Sequence, residues 1–231
     1  MPRTIIVGDL HGCRDELEDL LAWVGFASGD RLVSVGDTVV RGPEPHGTVS
    51  LLRKAGARGV RGNHEDRLLR WRAARDLGRP EPPIGSLTKR TIDALRPRDW
   101  EFLATMPLWL DLPEHGIRVV HAGVLPGVPI ARQDPRTLMS MRSIDDRGNP
   151  VADRGGTSWA HRWPGPEHVV FGHHAKELPE IAEYATGIDT GCVYGGRLTA
   201  MVLRDGERPP PPAERASVLV SVPARRAWCP R

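Results

Sequence analysis

The chain opens on an alternation of short β-branched runs and amphipathic stretches. Thr4–Val7 is apolar and ends at Gly8-Asp9, and Asp15–Val24 then places Leu17, Leu20, Leu21 and Val24 at helical spacing. Arg31–Val35 repeats the strand pattern and ends at Gly36-Asp37, and Thr48–Lys54 reads as a helix closed by Gly56. Arg58–Val60 is a third strand, ending at Gly62-Asn63-His64, and His64–Leu77 is again helical before a stop at Gly78. This β-α-β-α order predicts a parallel sheet with helices on its faces. Ligands of such sheets gather beyond the carboxyl ends of the strands, where Asp9, Asp37 and Asn63 stand.

The pattern changes after Gly78. Leu87–Leu95 and Trp100–Thr105 read as short helices, and Leu108–Leu112 and Ile117–Val120 as paired strands around a turn at Glu114-His115-Gly116. Residues 126–165 are rich in Pro, Gly, Asp and Arg with little periodicity, the mark of a long functional or disordered loop. Val169–Phe171 and Leu198–Leu203 are further strands. A run of four prolines after Arg208 sets residues 208–231 apart as a Pro/Arg-rich tail to a domain of residues 1–207, although Val218–Val222 could add a strand. No internal repeat is present.

Composition narrows the class without naming the chemistry. At 231 residues, 26% charged and 39% apolar, the chain is one large globular domain able to bury a core. The net charge of +3 comes from arginine, since Lys54, Lys89 and Lys176 are the only lysines. That balance suits an anionic substrate and equally suits an arginine-rich genome. No basic run marks a nucleic-acid arm, and no apolar stretch reaches the ~18 residues of a membrane span. Cys13, Cys192 and Cys229 are odd in number and far apart, which argues against a disulfide framework. The N-terminus runs directly into a strand with no signal-peptide pattern. These features predict a cytoplasmic enzyme.

The candidate chemistry lies in five strings: GDLHG at 8–12, GDTVVRG at 36–42, GNHE at 62–65, HAGV at 121–124 and GHH at 172–174. Asp9-x-His11 puts a carboxylate and an imidazole two residues apart just past a strand, where both can turn to one ion. Asp37 comes from the neighbouring strand and can bridge two ions; Asn63 adds an amide oxygen, and His121 and His173 add nitrogens. Such oxygen and nitrogen donors suit a pair of hard or borderline divalent metals. Two ions ~3.5–4 Å apart acidify a shared water and clamp the attacking and leaving oxygens of a phosphoryl group. Gly8, Gly36 and Gly62 are read as permitting the tight turns that bring backbone near the ions.

These strings are similar to the motif series of the metal-dependent phosphoesterases of the phosphoprotein-phosphatase superfamily, over roughly residues 3–203. The resemblance implies an α/β (α+β) fold, a calcineurin-like metallophosphoesterase β-sandwich flanked by helices, with a dinuclear centre at its end. Carried over position by position, Asp9, His11 and His173 resemble the ligands of one metal, Asn63 and His121 those of the other, and Asp37 the bridge. Mn is the expected metal, with Fe, Co, Ni and Zn also accommodated. His64 resembles the catalytic histidine that protonates the leaving oxygen. Arg41 and Arg61 resemble the phosphate clamps, whose planar guanidinium forks bind phosphate oxygens in pairs.

One letter departs from the protein-phosphatase pattern. Those enzymes carry Asp before the Arg-Gly pair, to hold and charge the catalytic histidine; here the residue is Val40. GDTVVRGP is instead similar to the branch that splits diadenosine tetraphosphate symmetrically. LMSMRSI at 138–144, WPGPEHVVFGHHA at 163–175 and IDTGCVYGGRLTA at 188–200 look like the same branch, which makes Arg142 a further phosphate ligand. The chain is shorter than that branch in its central loops.

The expected activity is therefore symmetrical hydrolysis of diadenosine tetraphosphate, a small anionic nucleotide polyphosphate, to two ADP. The alternatives are a phosphomonoesterase or protein Ser/Thr phosphatase on the same site, and a metal-binding module without turnover. Plainer readings attach to other residues. Cys192 has no assigned base and reads as a small residue packed near the site, while Trp159 and Trp163 could stack on a base or pack in the core. His161, Arg162 and His168 read as solvated, His174 as packed or facing solvent, and Arg53 and Lys54 as complements to a helix dipole.

Overall fold

The computed structural model describes residues 2–153 and 156–230. Met1 and Arg231, and Arg154 and Gly155 within the expected long loop, lie outside the described residues. In chain order the elements are β1 (Arg3–Val7), α1 (Arg14–Trp23), β2 (Arg31–Ser34), α2 (Pro45–Lys54), β3 (Arg58–Gly59) and α3 (Asn63–Asp76). Then come α4 (Ser86–Ala94), α5 (Pro97–Ala104), β4 (Trp109–Leu112), β5 (Ile117–Val120), α6 (Pro135–Ser140), β6 (Ser143–Ile144) and β7 (Pro150–Val151). The chain finishes with β8 (His168–Phe171), β9 (Glu180–Ile181), β10 (Ala185–Gly187), β11 (Arg197–Arg204) and β12 (Leu219–Pro223).

Two five-stranded sheets, ordered β12-β11-β1-β2-β3 and β4-β5-β8-β10-β9, face each other. The period-2 alternation of a strand explains how one short run serves two cores. Ile6, Val33 and Met201 of the first sheet meet Leu110, Val119 and Val170 of the second inside the sandwich. Ile5 and Val7, pointing the other way, pack with Leu17 and Leu20 of α1 and Leu52 of α2. The outer face of the second sheet is covered by Leu138 of α6, Met141 and Trp159. A fourth cluster joins Val39 and Val40 to Leu68 and Trp71 of α3 and Trp100 and Leu103 of α5. The fold is the helix-flanked sandwich that the motif resemblance implies. The wholly parallel sheet predicted from the β-α-β-α order holds only for β1, β2 and β3, because β11 and β12 return antiparallel.

The central segment also departs from its sequence reading. Residues 126–165 hold α6 and the β6–β7 hairpin rather than irregular chain. Pro135 at the first turn and the Asp134 carboxylate, which accepts from Arg136 N at 2.8 Å, start α6, but six residues are too few for a visible helical period. Trp159 is buried and donates from Nε1 to Ala122 O at 2.9 Å, with its ring 4.8 Å from that of Phe171. It is core. Trp163 donates to Glu167 O at 2.9 Å.

The segment set apart as a tail packs against the rest of the chain. β12 pairs in register with β11, and Trp228 Nε1 donates to Glu16 Oε1 of α1 at 2.8 Å. Arg215 is buried: its Nη1 reaches Thr186 Oγ1 at 2.6 Å and His168 Nε2 at 2.8 Å, and its Nε donates to Pro210 O at 2.5 Å. His168, read from sequence as solvated, lies in β8 and is buried by this packing. Burial and then the Arg215 charge lower its pKa from 6.5 to about 3.

Two results follow from this network. Arg215→Ala removes the donor to two buried acceptors, His168 Nε2 and Thr186 Oγ1, and is expected to cost about 2 kcal/mol or more in urea denaturation. His168 binds a proton in the unfolded chain below its ordinary pKa of 6.5 but not in the folded one until about 3. Its contribution to stability is thus full above that ordinary value and is lost as pH falls between the two. The melting temperature of His168→Gln should fall less steeply over this window; a parallel decline with the wild type would remove His168 from the acid response.

Candidate metal centre

The carboxyl ends of β1, β2 and β3 in one sheet and of β5 and β8 in the other converge at one edge of the sandwich. Asp9 and His11 follow β1, Asp37 follows β2, Asn63 follows β3, His121 follows β5 and His173 follows β8. Asp37 stands at the middle. Its Oδ2 lies 3.4 Å from His121 Nε2, 3.7 Å from His11 Nε2 and 3.9 Å from His64 Nε2. Two groups of possible ligands result, His11 with Asp37 and His64, and His121 with Asp37 and His173; within each the ligand atoms lie within 4.8 Å of one another. Asp37 is shared, which is the placement a bridging carboxylate needs.

The other sequence-predicted ligands close around it. Asn63 Oδ1 is 3.1 Å from His121 Nε2, and Asp9 accepts from His173 N at 3.1 Å with both oxygens. Asp9 Oδ2 lies 3.9 Å from His11 Nε2. Asp9, His11, Asp37 and His121 are all buried. A buried donor set of carboxylates, imidazoles and an amide matches divalent cations. Among the described residues, His173 Nε2 is buried with no hydrogen-bond partner, a costly arrangement for a free imidazole and a natural one for a ligand. The site therefore fits the metals.

Its electrostatics show how tightly the charges are coupled. Burial would lower the His121 pKa, but the Asp37 charge and hydrogen bond overcome it and raise it to about 10. Burial would raise that of Asp37; His121, His64 and His11 instead hold it well below the usual carboxylate range. Burial lowers His11 to about 3 and His64 to about 4, and lowers His173 as well. Burial and then Asp189 raise Asp9. A cation binding here takes over the charge that the His121 proton otherwise supplies, so uptake releases protons.

The backbone is shaped for this convergence. His11, Asp37, Val40, Arg41 and His173 have φ of 47°, 47°, 70°, 74° and 66°. Left-handed conformations at non-glycine residues cost energy and cluster at functional sites. The glycines act partly through space rather than turn geometry. A Cβ on Gly172 would strike Asp9 Oδ1, and one on Gly62 would strike Asp37 Oδ1.

The arginines divide. Arg41 Nη1 lies 2.8 Å from His11 Nε2, and its guanidinium stands 5.6 Å from the Tyr194 ring centroid. Arg142 Nη1 donates to Ala152 O at 2.5 Å, and its charge contributes to lowering His173. Arg61 turns aside, with Nη1 3.9 Å from Asp66 Oδ1 and Nη2 3.5 Å from Ala104 O. Val40 is buried in the apolar cluster beneath α3, and His64 Nδ1 has no hydrogen-bond partner among the described residues. The histidine thus lacks the carboxylate that holds it in the protein-phosphatase pattern.

Two residues were missed from sequence. Glu65 is buried and accepts from Asp37 N, Gly62 N, Thr38 N and Thr38 Oγ1 at 2.8–3.0 Å, tying the Asp37 loop to the start of α3. Its signal was the last letter of GNHE, three residues into a helix after a glycine. Asp189 accepts from Gly191 N at 3.0 Å, and burial pushes it up to about 6. Cys192 is buried, as expected for a packed residue.

Fold and site together define a metal-dependent phosphoester hydrolase. A profile of the calcineurin-like phosphoesterases matches residues 2–204, and the chain belongs to that family. Over 221 residues it is 31% identical to the asymmetrical bis(5'-nucleosyl)-tetraphosphatase PrpE of Geobacillus thermodenitrificans, covering 85% of this chain and 88% of that protein. The enzyme of the same name from Halalkalibacterium halodurans is 28% identical over 248 residues, covering 96% and 94%. A crystal structure of a candidate diadenosine tetraphosphatase superposes with a TM-score of 0.80 at 36% identity, over 96% of this chain and 93% of that one. A protein serine/threonine phosphatase of Saccharomyces cerevisiae, at 14% identity and a TM-score of 0.57, shares the fold. Among the described residues no helix is long and apolar enough to cross a membrane.

Proposed function

We propose that this chain is a dinuclear-metal hydrolase of dinucleoside polyphosphates, with diadenosine tetraphosphate as its reference substrate. The observation that carries the reading is the single buried carboxylate, Asp37, shared between two ligand groups with Arg41 beside them. The motif resemblance would give Asp9, His11 and His173 to one ion and Asn63 and His121 to the other, with Asp37 between them, whereas the structure gathers His173 with His121 and Asp37. Mn²⁺ is the working metal, and Fe, Co, Ni or Zn fit the same donors. The ions supply an acidified water and neutralise charge on the phosphoryl oxygens.

The protein does the rest. Arg41 and Arg142 hold phosphate oxygens, and Arg61 joins them once its side chain leaves Asp66. His64 is kept neutral by burial, so it meets the leaving oxygen as an N–H hydrogen-bond donor that stabilises the charge building there. The free thiols of Cys13, Cys192 and Cys229 suit the reducing cytoplasm.

The names of the relatives favour an asymmetrical cut, to AMP and ATP. A symmetrical cut to two ADP is the second reading, favoured by the GDTVVRGP string. Chromatography of the products from manganese-loaded protein and diadenosine tetraphosphate separates them: AMP with ATP supports the first, ADP alone the second. An intact dinucleotide beside dephosphorylated phosphopeptides would overturn both in favour of a phosphomonoesterase.

A further inference from the structure

Two grooves border the candidate centre, one at Asn63 and one at Arg41, and they differ in charge. One, a cavity of about 400 Å³, begins at Asn63 and runs between α3, α6 and the β6–β7 hairpin. Its volume lies within the ~300–1,000 Å³ of small-molecule sites. Asn63 is both a wall of this cavity and, through Oδ1 at 3.1 Å from His121 Nε2, a member of the centre. The groove and the metal cluster are therefore contiguous.

The lining suits an uncharged, flat ligand with polar edges. Val151 and Ala152 offer apolar surface, with the buried Met139 and Met141 behind them. Asp66 and Asp134 are balanced by Arg70 and Arg136, and Arg70 Nε sits 2.7 Å from Asp66 Oδ2. The groove thus carries no net charge and little attraction for a polyphosphate. The second cavity, about 350 Å³, is bordered by Arg41 and Arg90 against the single carboxylate of Asp93. Its excess positive charge suits phosphate oxygens.

We propose that the groove at Asn63 is a nucleoside subsite, seating the nucleoside whose α-phosphate lies on the centre, while the remaining phosphates run toward Arg41 and Arg90. This rests on the dinucleoside polyphosphate reading and deepens it. A base seated against Asn63 leaves only its own α-phosphorus at the cluster. Water adds its oxygen to that phosphorus, the bond from the α-phosphorus to the bridging oxygen breaks, and that oxygen leaves with the β-phosphate. One water is consumed; the nucleoside monophosphate and the nucleoside triphosphate are released, and the water protons are shared between the two products and solvent. The subsite is thus a structural reason for an asymmetrical cut.

The test compares two chromogenic diesters with the same leaving group, the p-nitrophenyl ester of AMP and methyl p-nitrophenyl phosphate, on the manganese-loaded full chain. The wild type is expected to favour the AMP ester in kcat/KM. Ala152→Trp and Ser140→Trp fill the groove from its rim and should lower that preference about tenfold or more, the scale of a lost base contact. Melting temperatures check the fold of both variants. A preference unchanged in both folded variants, or absent from the wild type, overturns the subsite. If the wild type leaves diadenosine tetraphosphate intact but shows a groove-dependent preference for the AMP ester, the subsite stands and the dinucleotide reading fails. If it cleaves the dinucleotide while the preference ignores both substitutions, the reverse holds.

Discussion

Asp37→Ala is expected to yield a folded protein that no longer retains stoichiometric divalent metal and that has lost about 10³-fold in kcat, the scale of several kcal/mol of charge stabilisation. No other substitution in the chain should release metal as completely, because Asp37 Oδ2 faces His11, His64 and His121 at 3.4–3.9 Å. Removing it also strips His121 of the charge that raises its pKa, so four imidazoles are left to crowd together with Asp9 as their main counter-charge. Asp37→Asn separates charge from shape. The amide oxygen can still accept from His64 N, which lies 3.0 Å from Oδ1, so the α3 start should persist while metal is lost. Elemental analysis after dialysis against manganese, with activity on the same sample, checks both. Full metal occupancy in Asp37→Ala would remove this residue from the bridging position.

His64→Ala should behave in the opposite way: metal content kept, kcat lowered by about 10²–10⁴-fold, the contribution of a positioned proton donor. The size should depend on the leaving group. A phosphate leaving from a dinucleotide needs its oxygen protonated or hydrogen-bonded, whereas p-nitrophenolate leaves readily without help. The loss is therefore expected to be severalfold larger on diadenosine tetraphosphate than on a p-nitrophenyl ester. An equal loss on both would show that His64 orients the phosphate rather than serving the leaving oxygen. Val40 sharpens this prediction. It is buried among Val39, Val49 and Leu68, and His64 Nδ1 has no partner among the described residues; burial therefore outweighs the Asp37 charge near Nε2 and leaves the imidazole neutral.

Much of this centre was legible in the chain. Asp9, His11, Asp37, His121 and His173 each follow a strand whose apolar run is visible in the sequence, Asn63 follows the shorter β3, and each is brought to the same edge of the sandwich. α1 was legible because it repeats its apolar residues over enough turns to show a period, and α3 because an uninterrupted run of helix-forming residues leads from GNHE to the stop at Gly78. Short elements were not. β10 is three residues, Ala-Thr-Gly, and α6 is six, too brief for periodicity to separate them from loop. The packing of the C-terminal segment was not legible because its composition is polar and proline-rich, while its placement depends on distant partners. Arg215 is buried only because Thr186, His168 and Pro210 accept its protons, and three of those four residues lie far from one another in the chain.

The division between sequence and tertiary structure follows from what each kind of interaction needs. Residue identity and local spacing determined the candidate donor set, the strand-end positions and the departure at Val40, because these depend on side-chain chemistry and on neighbours a few residues away. Only the tertiary structure decided that Asp37 stands between the two ligand groups, that Glu65 locks its loop, and that Arg61 turns toward Asp66 while Arg41 turns toward His11. It also decided the pKa of each histidine, since burial and opposed charges act over a few ångströms between residues as distant in sequence as His11, His64 and His121. The left-handed backbone at Asp37 and His173 belongs to the same class. Strain of that kind persists only where packing from the whole domain holds it in place.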